Sequence, residues 1–234
     1  MPRDKRPRKM KIPVVRDILA ANERLAEDNR RIFRQAGLFV INLMSGPGAG
    51  KTSLLERTID ALRQEIRIGV IEGDIQSSYD AERIGQKGVQ VVQLNTGGSC
   101  HLDGNMIKSS LDALDLGNLD LLMVENVGNL VCPAEFNLGE DMKAMILSVA
   151  EGDDKPLKYP LMFQESRVLL INKIDLLPYV ECDVGKMRER ALQLNADLEI
   201  FEVSCRTGEG LDSWADWLRE RVSDRKAELD GAKT

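Results

Sequence analysis

The chain of 234 residues holds a single histidine, His101, placed directly after one of only four cysteines, Cys100. Thiols this sparse do not make a disulfide scaffold. They read instead as ligands, nucleophiles or core filler in a reducing compartment. Long apolar runs are missing as well. None approaches the roughly 18 residues that cross a bilayer, and residues 1–11 are basic without an apolar core, which excludes a transmembrane helix and a secretory signal. A cytoplasmic protein with no membrane partner is expected. Positive charge is in deficit, 32 Lys and Arg against 38 Asp and Glu for a net −6, so a general nucleic-acid binder is not expected either. There is no internal repeat, no low-complexity tract and no linker after residue 37.

What is present, 43% hydrophobic and 30% charged residues, suits one ordinary globular domain. Six cations against Asp4 give residues 1–11 a charge of +5 and leave −11 on the rest. Such an arm can touch RNA, an acidic partner or its own body; a frayed, solubilising terminus is the plainer reading. From Val14 the pattern turns helical. Val15, Ile18, Leu19, Leu25 and Ala26 share one face, with Asn22 interrupting the stripe and Gly37 closing the segment. A basic arm and a short N-terminal helix are therefore expected over residues 1–36, the helix capping a domain that spans 37–234.

Within that domain short apolar runs alternate with amphipathic stretches. The strand candidates are Leu38–Met44, Ile66–Glu72, Val89–Asn95, Leu119–Asn126, Ala144–Ala150, Val168–Ile174 and Leu198–Ser204. Several are apolar throughout, as central parallel strands covered on both faces must be. Helices are expected over Thr52–Gln64, Tyr79–Gln86, Met106–Leu114, Val184–Leu194 and Leu211–Lys226. The pattern predicts an α/β fold, a doubly wound, mostly parallel sheet with helices on both faces, whose ligands sit beyond the carboxyl ends of the strands.

The first strand runs into Ser45-Gly46-Pro47-Gly48-Ala49-Gly50-Lys51-Thr52-Ser53 and then a helix. That is a P-loop NTPase arrangement: backbone amides of residues 46–53 cradle phosphates, Lys51 reaches the β- and γ-phosphates, and the Thr52 hydroxyl binds Mg²⁺. Ser45 stands where the usual pattern has Gly. The base is read further on. Asn172-Lys173-Ile174-Asp175 resembles the Asn-Lys-x-Asp motif of GTPases, in which the aspartate accepts from guanine N1–H and the 2-amino group. Ser204-Cys205-Arg206 resembles the loop whose backbone amide meets guanine O6. GTP is the expected nucleotide. Asp74 after the second strand and Glu125 after the fourth are the expected Mg²⁺-side acids, with catalytic weight on Lys51, Thr52, Asp74 and Glu125. No glutamine suggests itself for orienting water, so turnover is expected to be slow.

The third strand leads into Cys100-His101-Leu102-Asp103, and the fourth into Asn129-Leu130-Val131-Cys132-Pro133. In a parallel sheet both loops emerge at the phosphate rim. Cys100, His101 and Cys132 would form a soft-to-borderline set suited to Ni²⁺ or Zn²⁺, with an open shell unlike a closed structural zinc site. Spacing alone leaves open the plainer reading of a buried thiol beside a satisfied imidazole. Cys205 belongs to the base loop, and Cys182 has no ligand near it in sequence.

Together these segments, with Glu72-Gly73-Asp74 and Glu125-Asn126-Val127-Gly128, resemble the HypB family, the hydrogenase nickel-incorporation GTPases. The likeness runs in order over roughly residues 14–222. The resemblance implies a GTP-dependent homodimer with nickel at Cys100, His101 and Cys132, zinc being able to take the same place. It implies a HypA-like nickel chaperone and the large subunit of a nickel–iron hydrogenase as partners. Some members carry an N-terminal Cys-x-x-Cys-Gly-Cys motif or a histidine-rich stretch; neither is in this sequence, and N-terminal high-affinity binding or storage of nickel is not expected. Gly104 stands where the family more often has Ala, a difference expected to be minor. The alternatives are a regulatory GTPase without metal cargo, a nickel chaperone GTPase serving urease, and a P-loop kinase, against which Asn172 and Asp175 argue.

Overall fold

The apolar runs fold into one sheet. The computed structural model describes residues 15–74 and 79–231, so the basic arm over residues 1–11 and Val14 lie outside the described residues. The strands are β1 (Phe39–Ser45), β2 (Ile68–Asp74), β3 (Gln90–Asn95), β4 (Leu121–Glu125), β5 (Met142–Ser148), β6 (Val168–Asn172) and β7 (Glu199–Glu202). Their order is β3-β2-β4-β1-β5-β6-β7, and all six pairings are parallel. The sheet is thus wholly rather than mostly parallel among the described residues. The fifth strand lies two residues earlier than its apolar run suggested. The chain leaves β1 in one direction and returns past it to β5, which makes the end of β1 a topological switch point.

Helices α1 (Val15–Ala36), α2 (Lys51–Leu62), α3 (Tyr79–Gly85) and α4 (Gly104–Ser110) precede β4; the short α5 (Cys132–Glu135) lies before β5. Next come α6 (Lys155–Lys158), α7 (Pro160–Glu165), α8 (Val184–Leu194) and α9 (Leu211–Gly231). Period-2 alternation sends Phe39, Ile41 and Leu43 of β1 to the face covered by α2 and α9, while Leu38 and Val40 meet α1 and α4 on the other. Met162, Phe163, Met187 and Ala191 of α7 and α8 continue that second layer over β5 and β6. Both faces are covered, as the expected doubly wound fold requires. No helix among the described residues is long and apolar enough to cross a membrane.

The N-terminal helix is not short: α1 runs 22 residues. Its buried face also differs from the apolar stripe. Ile18 is 57% exposed, whereas Asn22, Ala26, Asn29 and Phe33 are buried. Asn22 does not interrupt the contact; it makes it. Its Nδ2 donates to Asn137 O at 2.8 Å and its Oδ1 accepts from the Gly104 amide at 2.7 Å. One heptad on, Asn29 donates to Gly104 O at 2.8 Å and Leu138 O at 3.0 Å. Polar side chains can occupy a core face when most of their hydrogen bonds are met; of these two, only Asn29 Oδ1 is left without a partner. A Cβ on Gly104 would stand 3.0 Å from Ala26 N and from Leu25 Cβ. An alanine there would need α1 to give by a few tenths of an ångström.

At the opposite end of the sheet, Asp120 is 4% exposed and accepts from the Arg67 amide, Nε and Nη2, and from Lys226 Nζ at 3.0 Å. The Arg67 guanidinium holds its carboxyl far below the usual carboxylate range. A depressed folded pKa stabilises the protein above the unfolded value and loses that contribution as pH falls through the folded one. Asp120→Asn should cost about 2 kcal/mol at pH 7, read as a lower urea midpoint, since a buried group loses charged partners while half-exposed Arg67 keeps water. The difference from wild type should shrink as the pH is lowered through the acid range.

Candidate functional site

Because every strand points the same way, the loops after β1, β2, β3, β4, β6 and β7 gather on one rim. After β1 the chain makes a turn that needs left-handed backbone at Gly48 (φ 76°) and Gly50 (φ 104°), positions that glycine takes without strain. It then enters α2 at Lys51. The turn opens onto a cavity of 540 Å³ lined by Gly48, Gly50, Lys51, Thr52 and Ser53 from this segment and by Asp74, Glu125 and Lys173 from others. Gly46 and Ala49 do not line it; Ala49 is fully buried beneath the turn. Lys51 Nζ donates to Ser45 Oγ at 2.9 Å, so the serine in the place of the usual glycine is what holds the lysine here. Burial pushes the Lys51 ammonium down from its ordinary pKa, which suits a cation awaiting anionic oxygens.

Facing Lys51 are the acids. Thr52 Oγ1 donates to Glu125 Oε1 at 2.9 Å. Register places Glu72 of β2 beside Glu125 of β4. Burial pushes Glu72 up to about 8 and Glu125 up to about 7. Glu72 Oε2 and Glu125 Oε2 are buried without a hydrogen-bond partner, an arrangement that costs free energy unless a cation neutralises it. Glu72, Asp74 and Asp80 bring ligand oxygens within 4.8 Å of one another. This donor set, all hard oxygen, fits Mg²⁺. Glu72, Asp80 and Arg83, which pairs with Asp80 at 3.1 Å and Glu56 at 2.6 Å, complete the cavity wall but were not singled out from the sequence. Period-2 spacing from Asp74 puts Glu72 on the same face and was the available signal.

A second cavity of 300 Å³ adjoins the first and shares Gly50, Ser53 and Lys173 with it; Asn172, Asp175, Leu176, Cys205 and Arg206 form the remaining walls. Here two loops are latched together. Asn172 Nδ2 donates to Ala49 O at 2.9 Å, and its Oδ1 accepts from the Lys173 amide at 2.8 Å and the Cys205 amide at 3.3 Å. Lys173, the one non-glycine with positive φ among the described residues (63°), donates from Nζ to Gly48 O at 2.7 Å. Ser204 Oγ donates to Asp175 Oδ1 at 2.6 Å. From behind, Arg57 holds the Cys205 carbonyl at 2.8 Å. Burial raises the Cys205 thiol to about 11, as befits a packing residue.

The third group stands beyond β3 and β4. Cys100, His101 and Cys132 place one ligand atom each within 4.8 Å. The two Sγ atoms are 2.9 Å apart and Cys100 Sγ is 3.6 Å from His101 Nδ1. His101 stacks on Phe136 with ring centroids 3.8 Å apart, and burial lowers its pKa, a shift toward the neutral form that ligates metals. The Cys100 thiol, hydrogen-bonded to Cys132, raises the latter's pKa. Buried Lys143 anchors this end of the chain, donating to Ala134 O at 2.8 Å. Phe136 and Lys143 carry no sequence signal, because their roles depend on the fold bringing β5 and the loop after α5 to this place. Cys182 stays outside the cluster, beside Asp153 and Asp183. The loop between Glu125 and Cys132 runs directly over the phosphate turn: a Cβ on Gly128 would stand 3.3 Å from Pro47.

The chain is similar to known proteins over most of its length. The model of the family described as CobW/HypB/UreG, nucleotide-binding domain, matches residues 39–202. A hydrogenase maturation factor HypB of Azotobacter vinelandii is 49% identical over 221 residues, covering 94% of this chain and 73% of that protein. Its counterpart in Escherichia coli K12 is 49% identical over 202 residues, covering 86% and 70%. Among solved structures, HypB from Helicobacter pylori in complex with nickel shares the fold with a TM-score of 0.84 at 38% identity, covering 88% of this chain and 97% of that one.

Proposed function

The chain belongs to the HypB hydrogenase maturation factors of the CobW/HypB/UreG family, and from that premise we propose that it is a GTP-hydrolysing metallochaperone that hands nickel to a nickel–iron hydrogenase. The observation that carries this reading is the junction of a nucleotide cavity and a Cys/His trio through one loop, residues 125–132. Guanine is read by Asp175 and by the amides of Ser204, Cys205 and Arg206, with Asn172 and Lys173 holding those loops on the phosphate turn. Gly48, Gly50 and Ser53 give the phosphates their backbone cradle, with Gly46 and Ala49 shaping the turn behind them. Lys51 leaves Ser45 for the β- and γ-phosphates. Thr52, Asp74 and Glu125 would hold Mg²⁺, which when bound supplies charge neutralisation at the phosphates. Hydrolysis by the lone chain is slow in this reading, with a partner or dimerisation completing the site.

Nickel, as cargo, sits at Cys100, His101 and Cys132, and Zn²⁺ competes for the same donors. Three protein ligands leave a place for exchange or for completion by a second copy. GTP favours a homodimer in which these loops meet, and hydrolysis relaxes them. A HypA-like chaperone and the hydrogenase large subunit are the partners, in the cytoplasm. The test is titration of the GTP-analogue and GDP forms with Ni²⁺, with mass measured alongside. One nickel per trio and a larger mass with the GTP analogue are expected. No nickel in either form would leave a regulatory GTPase without cargo.

A further inference from the structure

Leu102 sits where the two halves of the site meet. It follows His101 and is fully buried. Its amide donates to Asn126 Oδ1 at 3.0 Å, and Asn126 follows Glu125. Its side chain lies on Gly73, where a Cβ would stand 2.7 Å from Leu102 Cδ1, and Gly73 separates Glu72 from Asp74. One residue therefore touches the ends of both strands that present carboxylates to the nucleotide cavity. It is also covalently next to a metal ligand.

Asn126 is fixed just as firmly. Besides the Leu102 amide, its Oδ1 accepts from the Val127 amide at 2.9 Å, and its Nδ2 donates to Asn42 Oδ1 at 3.2 Å. Asn42 Nδ2 donates to Glu140 Oε1 at 3.1 Å, and Glu140 Oε2 accepts from the Leu138 amide at 2.6 Å, beyond Cys132 and Phe136. The Cys100–His101 loop and the Cys132 loop thus hang from one buried polar lattice. That lattice starts one residue from the carboxylate that meets Thr52. Such lattices tolerate few arrangements, because a shift that breaks a bond strands a buried amide. A displacement of Glu125 or of Gly73 must carry Leu102 with it or break these contacts. Neither Asn126 nor Leu102 offers a side-chain ligand to nickel.

We propose that Asn126 and Leu102 are positioning residues through which the nucleotide state sets the geometry of Cys100, His101 and Cys132. The inference rests on the metallochaperone reading above and names the residues that couple its two sites. The coupling is reciprocal: nickel alters nucleotide affinity by the factor by which nucleotide alters nickel affinity.

The test measures Ni²⁺ affinity of the full chain with a non-hydrolysable GTP analogue and with GDP, and takes the ratio. Asn126→Ala should bring that ratio to within about twofold of one while one nickel per trio still binds. Asn126→Asp, which keeps an acceptor for the Leu102 and Val127 amides but loses the donor to Asn42 Oδ1, should give a ratio between those of Asn126→Ala and wild type. Leu102→Val, a milder change that trims the contact on Gly73, should lower the ratio even where Asn126→Ala does not fold. A wild-type ratio in both Asn126→Ala and Leu102→Val, or equal loss in the Asp and Ala variants, overturns the inference alone. A wild-type protein that binds nickel equally in both nucleotide states overturns the coupling in the proposed function, and this inference with it.

Discussion

Asp175→Asn should weaken GTP binding by about 10²- to 10⁴-fold, since one hydrogen bond to a charged acceptor is replaced by two facing donors and the other falls to a neutral acceptor, at about 1.5–3 kcal/mol for each charged bond. The carboxylate stands in the smaller cavity, with Oδ1 accepting from Ser204 Oγ and lone pairs left for a ligand. Guanine offers two donors side by side, N1–H and the 2-amino group, and a carboxylate answers both. An asparagine presents one acceptor and one NH₂ donor, so it opposes the 2-amino group with another donor. Xanthine carries an oxygen in place of that amino group and matches the amide. The variant should therefore gain affinity for XTP as it loses GTP, and ATP should bind neither protein well. Equilibrium titration with the three nucleotides checks this. GTP affinity within threefold of wild type would mean that Asp175 does not read the base. The gain with XTP matters because it separates a change of specificity from a loop disturbed through Ser204, which would weaken both nucleotides alike.

What the sequence makes legible here, and what it hides, follows from the range of the forces involved. The central strands stand out because a parallel strand covered on both faces is apolar along most of its length, and Leu121–Val124 and Val168–Ile171 are fully buried. The glycine turn after β1 is legible for another reason: the left-handed backbone at Gly48 and Gly50 is a local requirement. Long-range polar contacts leave no such mark. Asn22 reads as a break in a helix stripe because its partners, Gly104 and Asn137, lie 82 and 115 residues away. Asn126 looks like a spacer between Glu125 and Gly128, yet it pins Leu102. The short helices α5 to α7 have too few turns for a 3.6-residue period to emerge, and Pro133, Pro156 and Pro160 mark only where they begin. Phe136 shows no reason to be aromatic until the fold lays it on His101. The metal trio lies between these cases: its residue types were conspicuous, but its convergence depended on a sheet in which β3 and β4 end on the same rim.

The largest effect on the cargo side is expected from Cys132→Ala. Removing even an outer partner of a metal ligand costs tenfold to about a hundredfold in affinity, so loss of one of three direct donors should cost about a hundredfold or more. Cys132 reaches the site from the loop that crosses Pro47 and begins at Glu125, whereas Cys100 and His101 come from the loop after β3. Its removal leaves two adjacent donors on one loop and severs the metal from the nucleotide-side segment. Two consequences should therefore appear together in Ni²⁺ titrations: a steep fall in affinity, and a residual affinity that no longer depends on whether the GTP analogue or GDP is bound. By reciprocity, GTP affinity of the variant should be indifferent to nickel. Cys182→Ala is the matching control, since that thiol lies apart from the trio beside Asp153 and Asp183, and its nickel affinity should equal wild type. If Cys132→Ala binds nickel as tightly as wild type in both nucleotide states, the trio is not where the metal is held, and the thiols converge for packing alone.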